Sequence, residues 1–419
     1  MTAREVARRV LDRISRDQAW ATLTLDGELA RAGLDERDRR LAAEIVYGVL
    51  RHRSRIDRAL GKFADLSRTP PRVVLALRVA AYQLLFLDRV PSYAIVDDAV
   101  GAARAAGGQK LAGFANAVLR KLVDAGEPKL PTNPRARLEV EFSLPPWIVD
   151  ELGAAAAEEV ERYAAAFALP APLVARTNIR KTTRDELAEV LRAAGASVLP
   201  VDAAPQALQL TDAGDPGRSP SFREGLWTVQ DTGAQLVSQL AAPRPGMRIL
   251  DACAGVGGKS THLAELAEDA AHIDAADTSR TKLDLGVASA ARLGIKSIHP
   301  ITCDLLDPAA PLAAQYDLIV LDAPCSGLGV LRRHPDAKWR LTPADVARMA
   351  ALQTKLLDAV VARLAPGGAL VYSVCTFTSA EGPDQITALR ARHPQLVLER
   401  EQRTWPPDAD GFYMARLTL

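Results

Sequence analysis

The sequence contains few cysteines and no long apolar run, and both shortages narrow what the chain can be. Its four cysteines, at positions 253, 303, 325 and 375 of 419, show no C-x-x-C spacing, so no zinc site is expected. In a reducing compartment they are expected to be free thiols. The longest apolar stretch, residues 73–87, is interrupted by Arg78 and Gln83, which argues against a membrane-spanning helix. Because the arginine-rich N-terminus also has no apolar signal core, we expect a cytoplasmic protein. The cysteine spacing further leads us to expect that the protein requires no metal.

The chain also lacks a large net charge, but its charges are unevenly distributed. There are 52 Lys and Arg against 51 Asp and Glu in total. Residues 1–130 carry 23 of the basic and 16 of the acidic residues, which leaves 29 and 35 for the remainder. A basic excess on one part of a chain is typical of a domain that binds a polyanion, although a solvated helical surface can have the same composition.

The length and the apolar patterns predict several domains, because 419 residues are too many for one core. Residues 1–130 have apolar residues at helical spacing and predict an all-α bundle. Residues 131–146 are rich in proline and predict a non-helical linker, and residues 147–230 predict a small α+β connector. In residues 231–419, strands and helices alternate, which predicts a doubly wound α/β domain whose ligand-binding loops follow the strands.

A glycine loop joins the first strand of this α/β domain to its helix, in the sequence Asp251-Ala-Cys-Ala-Gly-Val-Gly-Gly-Lys-Ser260. Glycines at such a turn let backbone N–H groups approach a ligand. A dinucleotide fingerprint would need glycine at Ser260, and a phosphate-binding loop would need glycine at Cys253, so both motifs fail by one residue. The remaining candidate ligand for this loop is a nucleoside without a polyphosphate. Asp277 and Asp304 follow the next two strands and suit its ribose and adenine, which is the pattern of an S-adenosylmethionine pocket.

Two cysteines follow later strands of the same domain, in Asp322-Ala-Pro-Cys-Ser326 and in Tyr372-Ser-Val-Cys-Thr376. Cytosine accepts a methyl group at C5 only after a nucleophile adds to C6, and a thiolate is a suitable nucleophile. The addition needs an acidic group near N3, which Asp322 can supply. This chemistry does not distinguish Cys325 from Cys375 as the nucleophile, and it requires the target base to be unstacked.

Two basic segments are candidates for nucleic-acid contact, the second of them directly after the Asp322 loop. Both offer cations for phosphates, and the second also offers an aromatic face for a base. The residues concerned are Arg51, Arg53 and Arg55 in the first segment and Arg332, Arg333, His334, Lys338 and Trp339 in the second.

Taken together, the glycine loop, the Asp-Ala-Pro-Cys turn, the Arg-Arg-His-Pro-Asp-x-Lys-Trp segment and the Ser-Val-Cys-Thr turn resemble those of RNA (cytosine-5) methyltransferases. With an N-terminal part similar to the antitermination factor NusB, nearly the whole chain resembles the bacterial 16S rRNA (cytosine-5) methyltransferase B family, also called Sun or Fmu. The resemblance implies a NusB-like RNA-binding bundle and a Rossmann-like class I methyltransferase domain. It also implies a monomer that uses S-adenosylmethionine to form 5-methylcytosine in 16S rRNA.

The resemblance also implies a role for each residue of the site. Cys375 would be the nucleophile and Cys325 would assist release of the product, with Asp322 at the base and Lys259 beside the active loop. The cofactor would be held by Cys253, Ala254, Gly255, Val256, Gly257, Gly258, Lys259, Asp277, Arg280, Asp304 and Asp322.

The sequence departs from this family at three places. Val256 replaces a proline of the glycine loop, Thr376 replaces a common serine, and Glu381-Gly-Pro383 stands where Glu-Glu-Asn is usual. The third departure leaves the role of that segment open. Alternatives to the methyltransferase prediction are an inert RNA-binding or antitermination factor, an enzyme that methylates another RNA, one that acts on DNA, and one that acts on a protein or small molecule.

Overall fold

A computed structural model describes residues 1–419, which form two compact units. The first comprises residues 1–170 and 331–341, and the second comprises residues 171–330 and 342–419. None of the helices combines the length and the apolar character that crossing a bilayer requires.

The first unit is helical, as its apolar spacing predicts. Val6, Val10 and Ile14 lie on one face of the first helix and are buried in a core that Ile45 and Val49 share. Its helices before residue 171 are α1 (Ala3–Asp17), α2 (Ala21–Ala32), α3 (Glu36–Arg51), α4 (Arg53–Gly61), α5 (Pro71–Phe86), α6 (Ser92–Ala125), α7 (Pro134–Glu141), α8 (Pro146–Ala156) and α9 (Val160–Phe167).

The proline-rich segment 131–146 is not the non-helical linker that we predict, because it contains α7 and the first residue of α8. Pro134 and Pro146 each occupy the first position of their helix. Proline is tolerated there because that position has no intrahelical use for its N–H group. Asn133 caps α7 by accepting a hydrogen bond from the amide of Ala136 at 3.0 Å. The prolines therefore begin helices here instead of preventing them.

The second unit opens with a small antiparallel sheet. Its strand order is β2-β3-β1-β4, and Thr183 caps its longer helix through a capping box with Glu186. The elements are β1 (Leu173–Thr177), α10 (Arg184–Ala193), β2 (Ser197–Pro200), β3 (Ala207–Thr211), α11 (Pro220–Arg223) and β4 (Trp227–Val229).

A seven-stranded sheet follows in the order β10-β11-β9-β8-β5-β6-β7. The five strands from β9 to β7 are parallel, and β11 runs antiparallel to both β9 and β10. The remaining elements are α12 (Thr232–Ala241), β5 (Arg248–Asp251), α13 (Gly258–Leu266), β6 (His272–Asp277), α14 (Arg280–Leu293), β7 (Ile298–Thr302), β8 (Tyr316–Asp322), α15 (Ala337–Arg340, in the first unit), α16 (Pro343–Val361), β9 (Leu364–Val374), α17 (Pro383–Arg392), β10 (Val397–Thr404) and β11 (Phe412–Thr418).

Candidate active site

The parallel strands end along one edge of the large sheet, and each end carries a residue singled out above. Asp251, Asp277 and Asp322 are the last residues of β5, β6 and β8, and Cys375 directly follows β9. Because these strands are neighbours in register, with Asp322 opposite Ser373, the fold brings the two predicted chemical motifs together. Parallel α/β sheets bind their ligands at this edge.

The glycine loop between β5 and α13 is held in shape by backbone conformation and close packing. Gly255 and Gly257 have φ angles of 55° and 76°, which favour glycine. A Cβ atom added to Gly257 would lie 3.1 Å from the Cα atom of Gly286, whereas one added to Gly255 would meet no atom within 4 Å. The backbone at Gly255 therefore faces open space, and Val256, where the family has proline, is exposed.

Asp277 fixes this loop to the neighbouring strand. Its carboxylate accepts hydrogen bonds from the amides of Gly255 at 3.0 Å and Ser279 at 2.8 Å, one on each oxygen. Asp304 is exposed and accepts from the amide of Leu306 at 2.9 Å, and Arg280 pairs with Asp284 one helical turn along α14. Each aspartate oxygen can accept a second hydrogen bond, so the predicted contacts with ribose and adenine remain compatible with this geometry.

Asp251, which the sequence identifies only as the start of the loop, has an incomplete set of partners. It is fully buried, and Oδ2 accepts a hydrogen bond from Ser260 Oγ at 2.6 Å. Oδ1 is buried without a hydrogen-bond partner, which is costly for a carboxylate. Burial raises the pKa of Asp251 to about 6, although the Ser260 hydroxyl opposes the shift. A donor from a bound molecule would complete this site.

Lys259 and Asp322 form an ion pair at the end of β8. The ammonium nitrogen of Lys259 lies 2.5 Å from Asp322 Oδ2, and Ser373 Oγ donates to Asp322 Oδ1 at 2.7 Å. Burial alone would lower the pKa of Lys259, but the Asp322 carboxylate more than offsets burial and raises it. Lys259 is therefore a cation at neutral pH, and it holds protons beside the carboxylate.

The two predicted catalytic cysteines are adjacent. Cys325 Sγ and Cys375 Sγ are 3.4 Å apart, within hydrogen-bonding distance for sulfur. The hydrogen bond to Cys375 and burial both raise the pKa of Cys325 well above its usual value. Cys325 is therefore kept as a thiol, and a proton on its sulfur can point at Cys375.

A buried carboxylate that the sequence leaves without a role joins the two cysteine loops. Glu381 accepts from the Ser326 amide at 2.7 Å, from Ser326 Oγ at 2.5 Å and from Thr378 Oγ1 at 3.0 Å. Gln353 Nε2 donates to the same carboxylate at 3.2 Å and to the Pro324 carbonyl at 2.8 Å. The only signal in the sequence is the family's Glu-Glu-Asn pattern, of which this chain keeps one glutamate.

A glycine pair closes the loop that follows Cys325. The Gly329 amide donates to the Cys375 carbonyl at 3.0 Å, and the Gly411 amide donates to the Gly329 carbonyl at 2.8 Å. A Cβ atom on Gly329 would lie 1.8 Å from the Gly411 oxygen, so only glycine fits there. The loop that carries Cys325 is thus fastened to the residue that carries the second thiol.

The predicted basic residues of α3 and α4 differ in how they are placed in the first unit. Arg51 is buried, and Arg55 is paired with Glu127 through two contacts of 2.6 and 2.5 Å. Arg53 lies between them in sequence, and its guanidinium carbon lies 4.8 Å from the centre of the Trp339 ring. Arg51 is thus largely shielded from solvent, and the contact of these arginines with RNA stays a prediction.

Several residues of the second basic segment pack inside the first unit, so the structure does not support a uniform RNA-binding loop. Lys338 Nζ donates to the Arg51 carbonyl at 3.0 Å, and Trp339 Nε1 donates to the Leu50 carbonyl at 2.7 Å. Both carbonyls belong to the last residues of α3, whose free carbonyls attract cations and donors. Asp336 Oδ2 accepts from the Ala21 amide at 3.3 Å, at the N-terminus of α2.

These residues bind the protein itself because the Arg-Arg-His-Pro-Asp-x-Lys-Trp segment caps two helix ends, the C-terminus of α3 and the N-terminus of α2. Arg332 and Lys338 are 3% and 2% exposed and do not present their charges to solvent. Arg333, His334 and Trp339 are half-buried, and their contact with RNA stays a prediction. The sequence shows the cations and the aromatic ring but cannot show that main-chain carbonyls bind them.

A second buried network, in the second unit, supports the glycine loop. Arg176 of β1 donates to both oxygens of Glu265 on α13 at 3.0 and 2.8 Å, and neither side chain is exposed. Arg176 Nη1 also donates to the carbonyl of Gly258, the first residue of α13, at 2.9 Å. The small sheet thereby fixes α13, the helix that contains Lys259. The sequence does not predict this contact, because an arginine in a strand gives no indication of its partner.

No group of three or more His, Cys, Asp or Glu side chains in the structure is arranged to hold a metal ion.

The chain matches three known families along its length. Residues 1–124 match the NusB family, and residues 144–215 match the ferredoxin-like domain of RsmF/B-like methyltransferases. Residues 238–418 match the family described as 16S rRNA methyltransferase RsmB/F.

Individual relatives match over nearly the full length. A Synechocystis protein described as a probable ribosomal RNA small subunit methyltransferase B is 35% identical over 97% of this chain and 93% of its own. The ribosomal RNA small subunit methyltransferase B of Salmonella typhi is 35% identical over 91% of each chain. The crystal structure of PH0851 has a TM-score of 0.82 at 23% identity and covers 100% of this chain and 99% of its own, so it shares the fold.

Proposed function

Because the chain belongs to the 16S rRNA methyltransferase RsmB/F family, we propose that it transfers a methyl group from S-adenosylmethionine to C5 of a cytosine in 16S rRNA. The reaction would pass through a covalent bond between Cys375 and C6 of the base. One observation supports the proposal most directly, namely the 3.4 Å approach of the Cys325 and Cys375 sulfur atoms at the sheet edge.

The residues at the sheet edge fit S-adenosylmethionine. Asp251 Oδ1 is a buried acceptor without a partner and suits the ammonium group of the methionine part. The open space at Gly255 lets the cofactor approach the backbone, and Asp277 and Asp304 have acceptor capacity left for ribose and adenine. When bound, the cofactor supplies an electrophilic methyl group. The remaining residues of the loop, Cys253, Ala254, Val256, Gly257 and Gly258, form its backbone wall.

The side chains account for formation of the adduct. The Cys375 thiolate would add to C6 with its electron pair, the C5–C6 pair would form a C4–C5 double bond, and the C4–N3 pair would move onto N3. Asp322 and Lys259, 2.5 Å apart, would supply a proton to N3, neutralise the developing charge, and take the proton back when the product forms. C5 then carries the electron density that bonds the methyl group.

Cys325 would act in the release of the product. After methyl transfer the C5 proton must leave, the C5–C6 double bond must re-form, and the electron pair of the C6–S bond must return to the Cys375 sulfur. The Cys325 thiol would give its proton to that departing sulfur and then receive the proton from C5. This role agrees with the raised pKa of Cys325, because a nucleophile needs an accessible thiolate.

Methyl transfer can be measured with labelled S-adenosylmethionine, a 16S rRNA transcript and nucleoside analysis after digestion. We expect the label in 5-methylcytosine and none in duplex DNA or in protein. Cofactor binding without transfer to any RNA would instead indicate an inert RNA-binding factor, and label in another nucleoside would refute the C5 chemistry. Assaying the transcript alongside partly assembled subunits and other RNAs identifies the physiological substrate.

A further inference from the structure

A cavity of about 250 Å³ in the first unit lies outside the proposed active site. Its apolar lining includes Leu11, Val49 and Leu75. Its other walls include Trp339 and three arginines, Arg53, Arg78 and Arg340. All of these residues belong to the first unit. The cavity thus combines cations, an aromatic ring and apolar surface in a space that can hold a phosphate group and part of a sugar.

The carboxylates next to these arginines do not balance their charge. Arg78 engages both oxygens of Asp57 at 2.7 and 2.8 Å, and Arg340 pairs with Asp336 at 3.1 Å. Arg53 approaches Asp57 Oδ2 only to 3.8 Å, which is too far for a hydrogen bond. Three guanidinium groups therefore share two carboxylates, and one positive charge is not compensated.

Arg53 carries this excess charge. Its guanidinium group donates no hydrogen bond within the protein, and its other contact is the face of Trp339 at 4.8 Å. Burial and the nearby Arg78 lower the pKa of Arg53 to about 10, so the group is still protonated at neutral pH. Its N–H groups can bind an anion without breaking an existing hydrogen bond.

Arg340 provides a second and independent indication of a missing anion. Its Nε atom is buried and has no hydrogen-bond partner, although its terminal nitrogen is paired with Asp336. A buried donor without an acceptor costs free energy. Phosphate oxygens are the acceptors that guanidinium groups bind best, because several N–H groups can act together.

We propose that this cavity binds one backbone phosphate of the RNA substrate, with Arg53 as the main donor and Arg340 Nε as the second. The inference rests on the proposed function, because it identifies a contact for that RNA. It also separates the three arginines of the first basic segment, since Arg51 is buried and Arg55 already has a carboxylate partner. The apolar lining would contact the adjoining ribose.

The test compares full-length wild type with Arg53→Met and the control Arg104→Met, which removes an equal charge from an exposed site of the same unit. Binding of a 16S rRNA transcript is measured over a range of salt concentrations. We expect Arg53→Met to weaken binding several-fold and to reduce the slope of log K against log salt concentration by about one. Arg104→Met should leave the slope unchanged.

Thermal unfolding distinguishes this contact from a structural role for Arg53. Because the substitution removes a charge that Arg78 repels, the Tm of Arg53→Met should not fall. A wild-type slope for Arg53→Met, or weaker binding that follows a lowered Tm, would overturn the proposal. It would also be overturned if inorganic phosphate raised the Tm of wild type and not of Arg53→Met while RNA binding was equal in both.

The outcome is separable from that of the proposed function. If wild type methylates the transcript but Arg53→Met keeps the wild-type slope, the phosphate site is wrong and the activity stands. If wild type binds RNA through Arg53 but transfers no methyl group, the site stands and the activity is wrong.

Discussion

Among individual residues, Glu381 joins the two loops that carry the thiols. Its carboxylate accepts four hydrogen bonds, two of them from Ser326, next to Cys325, and one from Thr378, three residues after Cys375. The Tyr372 hydroxyl also donates to the Glu381 carbonyl at 2.6 Å. We therefore propose that Glu381 is a positioning residue, which acts through the two loops that it joins.

Replacing Glu381 by glutamine should slow turnover without weakening cofactor binding. An amide has one acceptor oxygen, so at least one of the four donors would face an NH₂ group and the Cys325 loop would shift. A shift of the Cys325 loop by about 1 Å should lower kcat by about 10- to 100-fold. Steady-state kinetics should show this fall with KM for S-adenosylmethionine nearly unchanged.

The matched control for that experiment is Glu399→Gln, at a carboxylate of β10 that pairs with Arg416. This variant should keep the wild-type kcat. Equal kcat values for Glu381→Gln and wild type would show that the loops need no such bridge, whereas a large rise in KM for the cofactor would place Glu381 in cofactor binding.

The sequence identifies the candidate reactive residues better than the residues that hold them. Cys325, Cys375, Asp322 and Lys259 are singled out by the family motifs, and the structure places Lys259 against Asp322 and Cys325 against Cys375. Glu381 resembles any acidic residue of a loop, since three of its four hydrogen bonds come from Ser326 and Gln353, which are distant in the chain.

Among the elements, α13 connects the glycine loop to the small antiparallel sheet. Its first residue, Gly258, is held by Arg176 of β1, and its Glu265 is fully paired with the same arginine. Burial raises the pKa of Glu265, although Arg176 opposes the shift. The carboxylate thus depends on Arg176 to remain ionised.

Removing Arg176 should destabilise the second unit strongly, because Glu265 would be left as a buried charge. We expect Arg176→Met to lower the free energy of unfolding by about 3–5 kcal/mol, as measured by urea denaturation. The double variant Arg176→Met/Glu265→Leu removes both charges and should recover most of this loss. A double variant as unstable as the single one would show that the ion pair is not the reason.

Element boundaries were predictable where apolar runs are continuous. The apolar runs of residues 316–321 and 369–374 predict two buried strands, and the structure ends β8 at Asp322 and β9 at Val374. α7 was not predictable in the same way, because prolines mark both helix starts and helix breaks. The Asn133 cap decides between these, and a capping residue is a weaker signal than four prolines in one short segment.

In the whole molecule, neither compact unit is formed by one continuous stretch of the chain. Residues 331–341 interrupt the second unit in sequence but belong to the first, where Asp336, Lys338 and Trp339 bind helix ends. Local patterns could not predict this, because a cation bound to carbonyls and a cation bound to phosphate have the same sequence signature.

The burial of Lys338 should make the stability of this packing depend on pH. Burial, and then the charge of Arg51, lower the pKa of Lys338 from 10.5 to about 7. Between these values the unfolded chain binds more protons than the folded one, so stability rises with pH by up to about 1.4 kcal/mol per unit.

Thermal unfolding of wild type and Lys338→Met over this pH range measures the effect. The wild-type Tm should rise relative to that of the variant as the pH increases from about 7 to about 10, and the difference should level off below 7. His52 does not contribute between pH 7 and 10, because its ordinary pKa of 6.5 and the pKa of about 3 to which burial lowers it both lie below this range. Parallel curves for both proteins would mean that Lys338 is not buried as a titrating group.

The most direct test of the two-cysteine chemistry is the covalent complex with RNA. Wild type, Cys375→Ser and Cys325→Ala are incubated with S-adenosylmethionine and either normal or 5-azacytidine-substituted 16S rRNA fragment, and the protein–RNA adduct is detected by its mass. The account predicts an adduct of wild type with the substituted RNA, none for Cys375→Ser, and accumulation of adduct on normal RNA for Cys325→Ala. An adduct formed by Cys375→Ser, or wild-type turnover by Cys325→Ala, would contradict it.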